Sequence, residues 1–280
     1  MAWKRIAFMA MAAVLLAHAA TVALAETDAE CVTLQGQLTQ GGLIWGRVQS
    51  RATIRLNGDE LAVLPDGIFV AGFGRDAPTT AELTVGDCRQ TLYVAPREYR
   101  IQRVEGVPQR TVTPSAEHLA RIRREQALVG AAKAQRLARP ELLRASLAGF
   151  QWPTVGPISG VYGSQRFYNG EPGRPHYGID IAMPTGTPVV APAPGVVTLA
   201  EPDLFYSGGT VILDHGYGLS SSFLHLSDID VAVGQELKAG ERLGAIGSSG
   251  RATGPHLDWR MSWHNQRIDP QLLAPPMPVQ

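Results

Sequence analysis

From Cys31 onward, short runs of β-forming residues alternate with glycine or proline turns, and this punctuation limits the chain to a mostly β fold. The runs Leu43 to Val48, Thr53 to Leu56, Leu61 to Leu64, Ile68 to Phe73, Ala81 to Val85 and Gln90 to Val94 predict a small N-terminal β-sandwich over residues 26–96. Asn57-Gly58 and Asp66-Gly67 are hairpin turn signals, because both dipeptides tolerate the positive φ that tight turns need. A second series of strands is expected in residues 151–280: Thr187 to Leu199, Gly209 to Leu213, Leu219 to Leu226, Glu236 to Lys238, Arg242 to Ile246 and His256 to Trp263. These read as one antiparallel sheet, with Gln165 to Pro175 and Gly247 to Gly254 as flanking loops.

Between the two β regions, residues 97–150 read as an extended and helical connector. Arg97 to Pro114 is polar and extended, and Ser115 can cap a helix running through Leu119, Ile122, Ala127 and Val129 toward Leu137. Arg121, Arg123, Arg124 and Lys133 give it a basic surface, read as a solvated face. Pro140 begins a second short helix, Glu141 to Ala148.

Residues 1–25 have the form of a secretory signal: Lys4 and Arg5, an apolar run from Ile6 to Ala17, then Ala23-Leu24-Ala25 as a small-residue cleavage site. Cleavage near Ala25 implies an exported protein, periplasmic or secreted, with no membrane span afterwards. In an oxidising compartment the only two cysteines, Cys31 and Cys88, are expected to form one disulfide. The 25 basic and 25 acidic residues balance, so nothing in the charge suggests a nucleic-acid partner.

Five residues in the last third have the side chains of a one-zinc hydrolase site: His176, Asp180, His225, His256 and Asp258. On a strand, His256 and Asp258 would project to one face while Leu257 and Trp259 turn to the other. Catalytic zinc commonly takes three His or carboxylate ligands and leaves a position for water, which His176, Asp180 and Asp258 can satisfy. A proton must still move from that water to the leaving amine, and His225 and His256 suit the work. His215, in an Asp-His-Gly turn, and His264 read as structural or solvated.

His176-Tyr-Gly-Ile-Asp-Ile-Ala, Phe223-Leu-His225, Gly247-Ser-Ser-Gly-Arg-Ala-Thr-Gly254 and Gly254-Pro-His-Leu257 together resemble the lysostaphin/LytM-type zinc endopeptidase family. The likeness runs from Trp152 to Leu273 and implies an antiparallel β-sheet metallopeptidase domain acting on peptidoglycan peptides. It places one Zn²⁺ per chain on His176, Asp180 and the residue at the end of a His-x-His element, and gives catalytic roles to the residues matching His225 and His256. Here that element reads His256-Leu257-Asp258, so an aspartate stands where the family has histidine. Two carboxylates and one histidine would make a formally neutral zinc cluster, with a less acidified water than the family's set. Some relatives that have lost ligands activate cell-wall amidases, so a catalytically inactive regulator with an amidase or other regulatory protein as partner is the alternative.

Overall fold

The computed structural model describes residues 30–49, 52–105 and 116–278. The expected signal segment and the Ser115 cap lie outside them. Among the described residues no helix is long and apolar enough to cross a membrane.

The N-terminal region is built from β1 (Leu34–Gly36), β2 (Leu43–Arg47), β3 (Ile54–Leu56), β4 (Asp59–Glu60), β5 (Ile68–Gly72), β6 (Thr80–Val85) and β7 (Cys88–Tyr93). They form a three-stranded sheet, β1-β2-β5, and a four-stranded sheet, β4-β3-β6-β7. Ile54, Leu83 and Leu92 of one sheet share a core with Leu43, Ile44 and Phe69 of the other. Asn57 and Gly58, both with positive φ, close the β3-β4 hairpin as expected. The run Leu61 to Leu64 is not a strand: it folds back over Ile54 and contributes a single bridge from Val63 to Phe69. Cys31 and Cys88 are joined by a disulfide across a sequence separation of 57.

The connector holds more structure than its polar text suggests. β8 (Ile101–Val104) is followed by α1 (Ala116–Ala134) and α2 (Pro140–Leu147). Arg121 is paired with Glu125 and Asp203, but Lys133 is not on a solvated face. Its amine turns inward and donates to the Ser262 hydroxyl at 2.9 Å.

The remaining strands are β9 (Ile158–Gly160), β10 (Gln165–Tyr168), β11 (Glu171–Pro172), β12 (Ile179–Ile181), β13 (Pro188–Val190), β14 (Gly195–Leu204), β15 (Gly208–Asp214), β16 (Leu219–Ile229), β17 (Glu236–Leu237), β18 (Arg242–Ile246), β19 (Leu257–Trp263) and β20 (Gln266–Ile268). Ten of them make one sheet along the path β17-β14-β15-β16-β19-β12-β9, with β13, β18 and β20 attached to it. Every pairing in this sheet is antiparallel. Two expectations are corrected here. The expected strand Thr187 to Leu199 is two strands, broken at Ala191 to Pro194 where two prolines interrupt the ladder. The expected loop Gln165 to Pro175 contains the β10-β11 hairpin, turned at Asn169-Gly170 and paired in parallel to β8.

The sheet has two unlike faces because side chains alternate along each strand. Phe223 on β16 and Leu257, Trp259 and Met261 on β19 are fully buried against Trp152, Leu143 and the β2-β5 sheet, in one apolar core that runs through both β regions. The opposite face of the same strands carries Ser220, Ser222, Asp258, Arg260 and Ser262.

Candidate metal centre

His176 stands just before β12 and Asp180 is its middle residue, directly opposite Asp258 of β19. One donor atom from each of the three lies within 4.8 Å of the others. His176 Nε2 is 3.0 Å from Asp180 Oδ1 and 3.5 Å from Asp258 Oδ2. This packing needs bare backbone on both sides. A Cβ on Gly160 would come within 2.1 Å of Asp180 Oδ2, and one on Gly178 within 2.3 Å of Asp258 Oδ1.

The two remaining histidines close the site. His225 sits on β16 at φ +64°, beside a register shift, and such a bulge re-aims a side chain that a regular strand would send elsewhere. Its ring lies 4.8 Å, centroid to centroid, from that of His256, and His256 Nε2 is 3.8 Å from Asp180 Oδ1. His225 Nδ1 meets the Ser249 carbonyl at 2.8 Å, and His256 Nδ1 meets the Gly254 carbonyl at 2.8 Å. A carbonyl can only accept, so both rings hold their proton on Nδ1 when neutral and keep a lone pair on Nε2. Burial lowers the pKa of His225, which favours that neutral form.

The donor set suits a zinc ion. His176 Nε2 and Asp180 Oδ1 are both buried without a hydrogen-bond partner, since their close approach is not aligned as a hydrogen bond. An imidazole nitrogen and a carboxylate oxygen buried this close together are costly unless something electropositive, a proton or a metal ion, lies between them. His176 Nδ1 faces the Val161 carbonyl at 3.2 Å, the outer contact that orients a metal-binding imidazole. Without a metal, burial pulls the His176 pKa down, but Asp180 and Asp258 outweigh it and raise the value to about 10.

Arg260 is the site residue that the sequence reading missed. Its Nε lies 3.0 Å from each Asp258 oxygen and its Nη2 2.5 Å from Oδ2. Burial alone would raise the Asp258 carboxyl, but Arg260 and His176 hold it well below the usual carboxylate range. The expected neutral cluster is therefore incomplete, because it omitted this guanidinium. The available signal was the offset of two residues, which on a strand places Asp258 and Arg260 side by side.

His215 is fully buried, with Nδ1 on the Pro194 carbonyl and Nε2 on the Ser221 hydroxyl, both at 2.8 Å. It lies on the core side and is structural, as expected. His264 is at φ +49° in the turn between β19 and β20.

The model of peptidase family M23 matches residues 174–270, the stretch that contains all five residues. A solved structure from Pseudomonas aeruginosa, assigned to peptidase M23, is 30% identical and superposes with a TM-score of 0.64 over 85% of this chain and 95% of its own. The chain belongs to peptidase family M23. Among named M23-like relatives, the peptidoglycan DD-endopeptidase ShyA of Vibrio cholerae is 44% identical over 87 residues, covering 31% of this chain and 20% of ShyA. The DD-carboxypeptidase/endopeptidase Mpg of Neisseria meningitidis is 41% identical over 105 residues, covering 38% of this chain and 24% of Mpg. The matched part is thus about a fifth to a quarter of each of these relatives.

Proposed function

We propose that this M23 protein is an exported zinc metallopeptidase that hydrolyses amide bonds in peptidoglycan peptide cross-links or stems. The observation that carries the reading is the convergence of His176 Nε2, Asp180 Oδ1 and Asp258 Oδ2, the first two buried without a hydrogen-bond partner, with His256 Nε2 3.8 Å from Asp180 Oδ1 and the His225 ring 4.8 Å from that of His256. The substrate class follows from the names of ShyA and Mpg.

His176, Asp180 and Asp258 are the residues that would hold the ion, which supplies a Lewis acid for the scissile carbonyl and acidifies a water molecule. His225 and His256 do the proton work. With Nδ1 committed to a backbone carbonyl, each ring can accept a proton only at Nε2 and deliver it from the same atom. One takes the proton of the attacking water, and the leaving amine receives a proton from the pair as the C–N bond breaks. A protonated ring beside the reacting carbonyl also stabilises the developing negative oxygen. His256 Nε2 lies 3.8 Å from Asp180 Oδ1, so the ring that handles the proton stands directly beside a residue that would hold the ion.

The test is to incubate the purified mature protein with isolated wall sacculi, with and without chelator, while measuring bound zinc. One zinc per chain and chelator-sensitive release of muropeptides are expected. His256→Ala should retain the zinc and lose turnover. A protein that binds no zinc and releases nothing would sink the proposal and favour the regulator of a cell-wall amidase.

A further inference from the structure

We propose that Asp258 and Arg260 act as one unit in which the guanidinium offsets the charge of the carboxylate, so that the pair serves the metal as a neutral ligand would. Arg260 is in this account a positioning residue. The inference rests on the zinc reading above.

The charge count motivates it. A divalent ion with Asp180 and Asp258 alone gives a site of zero net charge. Adding Arg260 restores one positive charge, the value that two imidazoles and one carboxylate would leave. The geometry is specific for arginine, because Nε spans both oxygens while Nη2 takes one, a contact that a single ammonium cannot reproduce. Space for the pair is built in as well. A Cβ on Gly178 would meet Asp258 Oδ1 at 2.3 Å and Arg260 Cγ at 2.6 Å.

What lies behind Arg260 makes the dependence mutual. Lys133 Nζ and Arg267 Nη1 both donate to Ser262 Oγ at 2.9 Å, two strand positions further along the same face. Among the described residues neither cation has a salt-bridge partner, and the one recorded for Arg260 is Asp258. If the carboxylate is removed, the Arg260 guanidinium loses its ion-pair partner while two further basic side chains, Lys133 and Arg267, stand close behind it. A histidine at 258 would therefore add a good zinc ligand and strand a guanidinium beside it, so that replacing Asp258 by the family's residue harms the site unless Arg260 changes too.

A double-mutant cycle read by zinc affinity tests this, using competition with a chromogenic chelator. Asp258→His is expected to bind zinc ~10–100-fold more weakly than the wild type, the usual loss when an outer partner of a metal site is disturbed. Asp258→His with Arg260→Gln should recover about tenfold or more of that loss. The near-isosteric series, Asp258→Asn with and without Arg260→Gln, should give the same ordering and serves if the histidine variant does not fold. Equal affinity of Asp258→His and wild type, or no recovery on adding Arg260→Gln in either series, overturns the inference while leaving the zinc site intact. A wild type that binds no zinc overturns the functional reading instead.

Discussion

Replacing Asp258 by Asn should destabilise the metal-free protein as well as weaken its hold on zinc, and the size of the first effect can be worked from the contacts. The Asp258 side chain is 3% exposed and meets Arg260 in three contacts of 3.0 Å or less, with His176 Nε2 a further 3.5 Å away. Breaking a buried ion pair by removing one partner typically costs ~3–5 kcal/mol, since the other charge stays behind. The Arg260 side chain is 32% exposed, so water recovers part of the loss and the lower end, ~3 kcal/mol, applies. With an m-value of ~3 kcal/mol/M, such a loss moves a urea midpoint by about 1 M. The assay is urea denaturation in EDTA at pH 7, followed by tryptophan fluorescence, because Trp259 lies in the core on the same strand. Repeating it with zinc at a hundredfold excess over its Kd should stabilise the wild type by a further ~2.7 kcal/mol and the variant by much less. A variant within ~0.5 kcal/mol of the wild type in EDTA would refute the reasoning, since that is the range of an ordinary surface change.

Three further outcomes are expected. Loss of the disulfide by Cys31→Ser with Cys88→Ser should cost ~4 kcal/mol on the chain-entropy model for a closed loop of 57 residues, and an unchanged urea midpoint would rule out a stabilising role. Lys133→Met should raise the thermal midpoint at pH 7: burial, with Arg267 and Arg260 nearby, pushes the lysine pKa well down, so folding loses stability as pH falls below the ordinary value of ~10.4, and a lowered midpoint would contradict this. In EDTA-treated protein, the raised pKa of His176 means that its contribution is fully present below ~6.5 and is lost as pH rises through about 10. The stability difference between wild type and His176→Ala should shrink over that interval, and a difference independent of pH would dispose of the ion pairing.

The mostly β fold, the hairpin turn at Asn57, the second helix and the disulfide were legible in the sequence because each rests on local chemistry: a dipeptide that accepts positive φ, a proline at a helix start, two cysteines with no other partner. The five candidate residues could be picked out of the sequence by their side chains and spacing, and the structure brings His176, Asp180 and Asp258 within 4.8 Å of one another with the His225 and His256 rings 4.8 Å apart. What escaped was decided by tertiary pairing. β8 lies in a polar stretch with no strand pattern of its own and exists because β10 pairs with it. Lys133 belongs to a helix whose basic residues look solvated, yet the sheet beneath offers it a buried hydroxyl. His225 departs from regular strand geometry because pairing with β15 and β18 shifts register around it.

Arg260 shows why a single substituted ligand is poorly read alone. Taken by itself, Asp258 is either a tolerated replacement or a mark of decay. The strand on which it sits sends positions 258, 260 and 262 to one face, and that row reads carboxylate, guanidinium, hydroxyl, with two more basic side chains gathered on the hydroxyl. If the site holds a divalent ion, basic groups beside it call for a negative group between them, and position 258 supplies one. On the proposed zinc reading the aspartate is as much the partner of the guanidinium behind it as of the ion it would hold, and its fitness as a ligand would be a property of the pair.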